Sequence, residues 1–376
     1  MNHRPMLRTA VLIASLAAAG FGHAQERIRV GFLSPVTGPQ AANGVDNRDA
    51  ALLAVKEINA RGIKVGGKPV QFELDVHDDG ADPKQGVQIA QGLADRKVKF
   101  VLGPYNSGVA MPASRVLAEA DIVTFTVASN PKITQQGYRN LFRIGASDNQ
   151  LGTKMAVYAA QDLKIKTVAV IDDRTAYGQG VAKEFMEEAK RQGIKVVTNE
   201  FTTDKATDFT AILTSVRASK AEAVFYGGYS PQGGPMLRQM RALGLNVPLL
   251  GGDGICSSET AVLSQVAGNL NAYCTQGGSM LDKSDKGQKF IERYRAEYKR
   301  DPLTYAAAFY DGMHLLASAI EATQGTDGKK IIDHIAKGKY AGVSGEYSYD
   351  DKHDLRSSAV TVFTFKGKDV VPLKSL

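Results

Sequence analysis

The fold class is decided by two segments, R-I-R-V-G-F-L-S-P at residues 27–35 and P-V-Q-F-E-L-D-V at residues 69–76. In the second segment apolar and polar residues alternate from Val70 to Val76, which is typical of a half-buried β-strand. Between the two segments, apolar residues recur at helical spacing over residues 46–61. Strands that are separated by helices indicate βαβ units and a parallel sheet. The sequence therefore predicts an α/β fold.

The alternation of strands and helices runs twice along the chain, over residues 27–128 and 167–274. At roughly 150 residues per domain, the length of 376 residues also predicts two domains. After about residue 280 the pattern changes to two long helices, at about 285–299 and 304–322, and a single strand at 359–365. We expect this tail to be shared between the domains, so that repeated crossings of the chain form a hinge suited to closing on a ligand.

The composition excludes several classes of protein. Apolar residues make up 43% of the chain, which is too many for a disordered protein. The formal net charge of +7 is spread along the chain, and the chain has 7% aromatic residues and no Trp. Neither a concentrated basic surface nor a base-stacking platform is therefore expected, and we predict no nucleic-acid partner.

The N-terminal residues are typical of a signal peptide. Arg4 and Arg8 precede an apolar stretch over residues 10–21, and Gly22-His23-Ala24 follows it with small residues around His23. The apolar stretch is too short to cross a bilayer, which needs about 20 residues. We predict a cleaved signal peptide over residues 1–24 and a periplasmic mature protein.

Two cysteines, Cys256 and Cys274, are the only ones in the sequence. An even pair in an exported protein indicates a disulfide bond, because the compartment is oxidising. A redox or metal-binding role would favour closer spacing and histidine partners, and neither is present. Free thiols are the remaining alternative.

Motifs of common enzymes are missing from the sequence. Gly31 leads into Phe32-Leu33-Ser34-Pro35 rather than into a G-x-G-x-x-G fingerprint, and no G-x-S-x-G motif occurs. The polar runs His77-Asp78-Asp79 and Asp172-Asp173 end predicted strands, where such residues usually mark the loop. We predict binding without catalysis, no metal site and no cofactor.

Ligands of open α/β sheets bind beyond the carboxyl ends of the strands. In the first run these ends offer hydroxyl groups and backbone N–H donors, and in the second run they offer two tyrosines and an acid. Such a division suits a zwitterion, whose carboxylate and ammonium need donors and an acceptor respectively. The five segments are 104–108, 129–131, 175–178, 226–229 and 251–254.

The order of motifs resembles the periplasmic leucine/isoleucine/valine-binding protein family, the type I substrate-binding proteins of ABC importers. The motifs that carry the resemblance are R-V-G-F-L-S-P-V-T-G-P, D-D-G-A-D-P-K-Q-G-V, V-L-G-P-Y-N-S, T-A-Y-G-Q-G, F-Y-G-G-Y-S-P, L-R-Q-M-R-A-L-G and L-L-G-G-D-G. The resemblance implies two Rossmann-like lobes joined by three crossovers. One lobe would comprise residues 25–145 plus 278–351, and the other residues 146–277 plus 352–376.

The resemblance also implies roles for individual residues. Ser107, with Ser129 and Asn130 of the next loop, would bind the α-carboxylate of an amino acid. Tyr177 and Tyr229 would line the site from the second lobe, and Asp253 would bind the ammonium in place of the more common Glu. Many relatives carry a Tyr where this sequence has Asn43, and Tyr105 stands beside Ser107. The side-chain pocket therefore departs from the branched-chain pattern.

The leading hypothesis is a monomeric binding protein that delivers an amino acid, branched-chain or otherwise apolar, to the membrane subunits of an ABC permease. Three alternatives remain open from the sequence: the same fold with an amide, urea or an aromatic acid as ligand, a ligand-sensing receptor domain, and an exported α/β enzyme. Asp253 argues against a ligand that has a carboxylate and no ammonium, because two negative charges would meet in a closed cleft.

Overall fold

The computed structural model describes residues 26–376, so the predicted signal peptide at 1–24 lies outside the described residues. The strands in this part of the chain are β1 (Glu26–Ser34), β2 (Lys64–Val65), β3 (Lys68–Asp78), β4 (Phe100–Leu102), β5 (Val123–Thr126), β6 (Leu141–Arg143), β7 (Thr167–Asp172), β8 (Lys195–Phe201), β9 (Ala223–Gly227), β10 (Leu249–Gly251), β11 (Leu270–Gly277), β12 (Tyr340–Ala341), β13 (Glu346–Tyr347), β14 (Val360–Lys366) and β15 (Asp369–Ser375).

The helices alternate with these strands over most of the chain. They are α1 (Ala41–Arg61), α2 (Pro83–Asp95), α3 (Ser107–Glu119), α4 (Asp148–Gln161), α5 (Ala176–Arg191), α6 (Thr210–Ala218), α7 (Ser230–Ala242), α8 (Ser258–Ser264), α9 (Asp285–Tyr298), α10 (Ala306–Thr323) and α11 (Gly328–Lys337).

Two sheets organise the molecule. The first has the order β2-β3-β1-β4-β5-β6, and only the β2–β3 pair is antiparallel. The second has the order β15-β14-β11-β10-β9-β7-β8, in which the β11–β14 and β14–β15 pairs are antiparallel. We call each sheet with its helices the first and the second lobe. The α/β architecture with mainly parallel sheets agrees with the prediction from the sequence.

The chain after residue 280 is divided between the two lobes. Helices α9 and α10 pack against α1 of the first lobe, whereas β14 and β15 extend the second sheet. The prediction of a single strand in this region is wrong, because β15 and the short pair β12–β13 are also present. β15 contains Pro372 and lies at the edge of the second sheet, where proline is tolerated. The residue boundaries expected for the lobes stay a prediction.

The crossovers between the lobes pack closely against one another. Gly278 N–H donates to the carbonyl of Ala359 at 2.8 Å, which joins the segment after β11 to the segment before β14. A Cβ atom on Gly277 would lie 2.5 Å from Cβ of Ala146, in the segment between β6 and α4. Only glycine allows these two crossovers to approach so closely.

The D-D-G-A-D-P-K-Q motif forms a structural turn between β3 and α2. Asp82 caps α2 by accepting hydrogen bonds from the backbone N–H groups of Lys84 and Gln85, at 2.7 and 3.0 Å. Asp78 accepts from the N–H groups of Val36 and Thr37 and so fastens the loop that follows β1. This motif therefore positions the loops that follow β1 and β3 in the first lobe.

The predicted disulfide bond is present between Cys256 and Cys274, whose Cα atoms are 5.3 Å apart. Cys256 follows the 3-10 helix Asp253–Ile255, and Cys274 lies in β11, the strand next to β10. The bond therefore fastens the loop that carries Asp253 to the second sheet.

We expect Gly277→Ala to lower the free energy of unfolding by about 1–3 kcal/mol, because the added methyl group overpacks the crossover. Gly92→Ala is the control, since a Cβ atom there approaches nothing closer than 3.4 Å and alanine favours the helix α2. Urea unfolding of both variants measures the effect. Equal stability of the two variants would show that the crossovers have room to adjust.

We expect replacement of both cysteines by alanine to lower the free energy of unfolding by about 3 kcal/mol, since the bond closes a short loop in the unfolded chain. Urea unfolding of the oxidised protein and the double variant gives the difference. Mass spectrometry after alkylation without reductant is the accompanying check, and two alkylated cysteines in the wild-type protein would refute the bond.

Candidate functional site

The carboxyl ends of strands from both lobes meet in a closed cleft. Ser107 begins α3 after β4, and Ser129 and Asn130 follow β5. Tyr177 lies in the first turn of α5, after β7, and Asp253 follows β10. All of these residues are buried, as are Tyr229 after β9 and Tyr105 beside Ser107. The structure thus brings seven of the eight residues predicted for the site to facing edges of the two sheets.

Direct hydrogen bonds cross the cleft. Asn130 donates its side-chain amide to the carbonyl of Ala176, the first residue of α5, at 2.6 Å. Thr304, between α9 and α10, donates its hydroxyl to the carbonyl of Cys256 at 2.9 Å. These bonds join first-lobe segments to second-lobe loops, so the structure shows the lobes closed.

Asp253 is the acidic centre of the cleft. Tyr177 donates its hydroxyl to Oδ1 of Asp253 at 2.8 Å, and Tyr305 donates its hydroxyl to Oδ2. The Tyr177 oxygen in turn accepts the N–H group of Gly254 at 2.8 Å. Burial raises the pKa of Asp253, and the two tyrosine hydroxyls oppose that rise. A carboxylate held in this way is oriented and ready to receive a cation.

Glycine residues allow the acidic loop to approach its neighbours. A Cβ atom on Gly254 would lie 2.4 Å from the carbonyl oxygen of Gly228 and 2.6 Å from Cε1 of Tyr177. Any larger residue at Gly254 would push Asp253 away from Tyr177. The G-G-D-G sequence at 251–254 is therefore required by packing around the carboxylate.

Four tyrosine rings surround this centre. The rings of Tyr177 and Tyr229 have centroids 4.8 Å apart, and those of Tyr105 and Tyr229 are separated by 6.5 Å. Tyr105 also meets Tyr305 edge-on at 5.9 Å. The rings come from both lobes and give the cleft an aromatic, mostly apolar wall.

Hydrogen-bond donors lie on the first-lobe side. The Ser107 oxygen accepts the backbone N–H of Asn130 at 3.2 Å, which leaves the Ser107 hydroxyl hydrogen free to donate. Ser107 also opens α3, and the N–H groups of a first helical turn have no acceptor within the helix. This corner of the cleft can therefore receive a carboxylate.

No pattern in the sequence indicated Tyr305, which lies between α9 and α10 rather than at a strand end. Its segment is anchored to α1, because Arg300 binds Asp49 at 2.6 Å and also pairs with Asp46. Asp46 accepts the N–H of Leu303 at 2.9 Å, and burial raises the pKa of Asp46 to about 6. This anchor holds Tyr305 against Asp253.

Asn43 is buried in the first turns of α1, and none of the hydrogen bonds of the described residues joins it to the other predicted residues. Its neighbours Ala42 and Val45 line a cavity of about 1120 Å³, which is also lined by Cys256, Thr304 and Tyr305. Ser107 and Asp253 are not among the residues that line this cavity.

Within residues 26–376, no group of three or more His, Cys, Asp or Glu side chains is arranged to hold a metal ion. His77 pairs instead with Asp75 at 3.1 Å, and Asp173 accepts hydrogen bonds from Thr175. In the same residues no helix is both long and apolar enough to span a bilayer.

Comparison with known proteins gives the family. Residues 27–369 match the family described as periplasmic binding protein. The chain belongs to that family. It is 33% identical over 371 residues to the Leu/Ile/Val-binding protein BraC3 of Rhizobium johnstonii, covering 96% of this chain and 98% of the relative.

Further comparisons of this periplasmic binding protein agree with the family resemblance. It is 30% identical to the leucine-, isoleucine-, valine-, threonine-, and alanine-binding protein of Pseudomonas aeruginosa, with 95% of each chain covered. Its fold is similar to that of a branched-chain amino acid transporter substrate binding protein from Streptococcus pneumoniae in complex with isoleucine. The TM-score is 0.86 at 29% identity, with 93% of this chain and 99% of that chain covered. The predicted type I fold, with two lobes and a hinge of three crossovers, is confirmed.

We expect Tyr305→Phe to lower the free energy of unfolding of the closed protein by about 1.5–3 kcal/mol, the usual value for a hydrogen bond to a charged group. The control is Tyr298→Phe, which removes a hydrogen bond of 2.7 Å to the neutral carbonyl of Asp49 and should cost only about 0.5–1.5 kcal/mol. Urea unfolding compares the two. A loss no larger than that of the control would mean that Tyr305 does not stabilise the Asp253 carboxylate.

Proposed function

We propose that the protein captures a free L-amino acid between its two lobes and delivers it to the membrane subunits of an ABC importer. The observation that carries this proposal is the buried Asp253 carboxylate, which faces the donor groups around Ser107 across the closed cleft. A zwitterion satisfies both sides at once, whereas a ligand with one charge leaves a buried group without its partner.

The charge arrangement favours an ammonium near Asp253. Burial of a carboxylate without a partner is unfavourable because the charge loses its hydration, and a cation hydrogen-bonded to the carboxylate offsets this loss. Tyr177 donates a hydrogen bond to one oxygen of Asp253, and Tyr305 donates one to the other. Each carboxylate oxygen has a second lone pair, which can accept an N–H group of an ammonium. The ligand carboxylate would then lie toward Ser107, Ser129 and Asn130.

The wall of the cleft favours an apolar side chain. Tyr105, Tyr177, Tyr229 and Tyr305 present rings whose faces and edges suit aliphatic groups. The named relatives bind leucine, isoleucine and valine, and one of them also threonine and alanine. We therefore propose a branched-chain or another apolar amino acid as the ligand. Because this chain has Asn43 where many relatives carry Tyr, the preferred amino acid within this class can differ from theirs.

The family consists of solute-binding proteins of transporters, and we extend its properties to this chain as part of the proposal. The protein would be exported to the periplasm by cleavage of residues 1–24, act as a monomer and bind its permease in the closed, loaded state. It would bind its ligand without converting it.

A thermal-shift screen with the twenty L-amino acids, urea and benzoate is the first test of the proposed function. We expect leucine, isoleucine or valine to raise the unfolding temperature most, because ligand binding to the folded state alone stabilises it. A larger shift with urea or benzoate than with any amino acid would contradict the proposal.

We expect Asp253→Asn to weaken binding of L-leucine by two to three orders of magnitude, since breaking a buried ion pair costs about 3–5 kcal/mol. Calorimetric titration with L-leucine and with its deaminated analogue, 4-methylpentanoate, measures the effect. The analogue should bind the wild-type protein poorly and gain affinity when the acid is neutralised. Parallel losses for both ligands would exclude Asp253 as the ammonium partner.

A further inference from the structure

Asn106 places a carbonyl group without a hydrogen-bond donor in the cleft. The residue stands between Tyr105 and Ser107, immediately before α3, and only 4% of it is exposed. Its side-chain oxygen is buried and accepts no hydrogen bond from the described residues. A buried amide oxygen without a donor destabilises a folded protein, so its presence calls for an explanation.

The side chain of Asn106 does not take the usual role of its position. Asparagine is favoured just before a helix because its oxygen accepts backbone N–H groups of the first turn. Asn106 accepts none from α3. Its amide nitrogen instead donates to Oε1 of Gln40 at 2.7 Å, in the loop between β1 and α1. The side chain is therefore turned toward the β1 side of the cleft.

The order of the strands separates Asn106 from the groups proposed for the ligand's carboxylate. In the first sheet, β4 lies between β1 and β5. The Ser107 oxygen accepts the N–H of Asn130 at 3.2 Å, in the loop after β5, whereas Asn106 contacts the loop after β1. A ligand whose carboxylate binds on the β5 side can therefore extend its side chain toward Asn106.

The second lobe closes over the same end of the cleft. The Tyr229 hydroxyl lies against the Asn106 side chain, and the Tyr229 ring is 6.5 Å from the ring of Tyr105. This hydroxyl does not supply the missing donor, because the Asn106 oxygen has no partner among the described residues. Closure thus leaves the oxygen enclosed between the lobes, where a ligand can donate to it.

Asn59 shows the contrast within the same chain. Its amide nitrogen donates to the carbonyl of Phe72 at 2.9 Å, and its side-chain oxygen accepts the N–H of Phe72 at 2.8 Å. Both polar groups of Asn59 are therefore used to join α1 to β3. A structural role of this kind accounts for the amide nitrogen of Asn106 but not for its oxygen.

We propose that the side-chain oxygen of Asn106 accepts a hydrogen bond from the side chain of the ligand, so that the site takes a hydroxyl group in place of a methyl branch. This inference rests on the proposed function and defines its ligand class more closely. The aromatic wall contacts the aliphatic part of the ligand, and Asn106 determines how well a hydroxylated side chain is tolerated.

L-threonine and L-valine are the test ligands, because they have nearly the same shape and differ by a hydroxyl in place of a methyl group. An apolar pocket disfavours such a hydroxyl by up to about a hundredfold. In calorimetric titration of the wild-type protein, we expect the two affinities to lie within about tenfold of each other, since Asn106 accepts the hydroxyl.

Asn106→Leu removes the acceptor and keeps a similar volume. The ratio of threonine affinity to valine affinity should fall by about five- to tenfold, as expected for one lost hydrogen bond. Asn106→Ala is a second variant without added apolar volume, and its ratio should fall in the same direction. The matched control is Asn140→Leu, whose ratio should equal that of the wild type. Asn140 is also buried, but it donates to the carbonyls of Leu117 and Ile122 before β6, at the end of the sheet opposite the cleft.

A second pair of ligands separates hydrogen bonding from general polarity. O-methyl-L-threonine has nearly the shape of L-isoleucine, but its ether oxygen carries no hydrogen to donate. The ratio of O-methyl-L-threonine affinity to L-isoleucine affinity should therefore not fall in Asn106→Leu.

The outcomes distinguish this inference from the proposed function. An equal threonine-to-valine ratio in the wild type, Asn106→Leu and Asn106→Ala would overturn the role of Asn106 and leave the proposed function standing. An equal fall of both ligand ratios would show a loss of polarity rather than of an accepted hydrogen bond, and would also overturn the inference. A wild-type protein that binds neither L-leucine nor L-valine would overturn the proposed function and this inference together.

Discussion

The carboxylate of Asp253 connects the two lobes, because one of its oxygens accepts a hydrogen bond from a tyrosine of the second lobe and the other accepts one from a tyrosine of the first. Tyr177 reaches it from α5 of the second lobe, and Tyr305 reaches it from the segment before α10 of the first. The charge is buried, so both hydroxyls matter for its stability. The closed arrangement of the lobes and the acidity of the site therefore depend on the same three side chains.

Much of the surrounding structure keeps these three groups in place. The disulfide bond and Gly254 fix the loop that carries Asp253, and Arg300 fastens the Tyr305 segment to two acids of α1. Support of this kind makes the cleft a preformed site on rigid elements.

The sequence predicts the architecture well because strand–helix alternation is local and repeats. It also places Ser107, Ser129, Asn130, Tyr177, Tyr229 and Asp253 together, since each follows a parallel strand and those strand ends meet. Tyr305 escaped prediction for a different reason. It lies between α9 and α10 of the first lobe rather than after a parallel strand, so no strand end indicated that it reaches the cleft. Asn43 was assigned to the binding site only by the family resemblance, and no hydrogen bond of the described residues joins it to Asp253.

The aromatic wall has an optical consequence. The chain contains 14 tyrosines and no tryptophan, so tyrosine emission is not masked by a stronger fluorophore. Four of these rings meet in the cleft, and the hydroxyls of two of them are bound to a carboxylate, an arrangement that quenches phenol emission. Separation of the lobes would part Tyr305 from Asp253 and Tyr105 from Tyr229. The unmodified protein thus carries an intrinsic spectroscopic reporter of its own opening and closing.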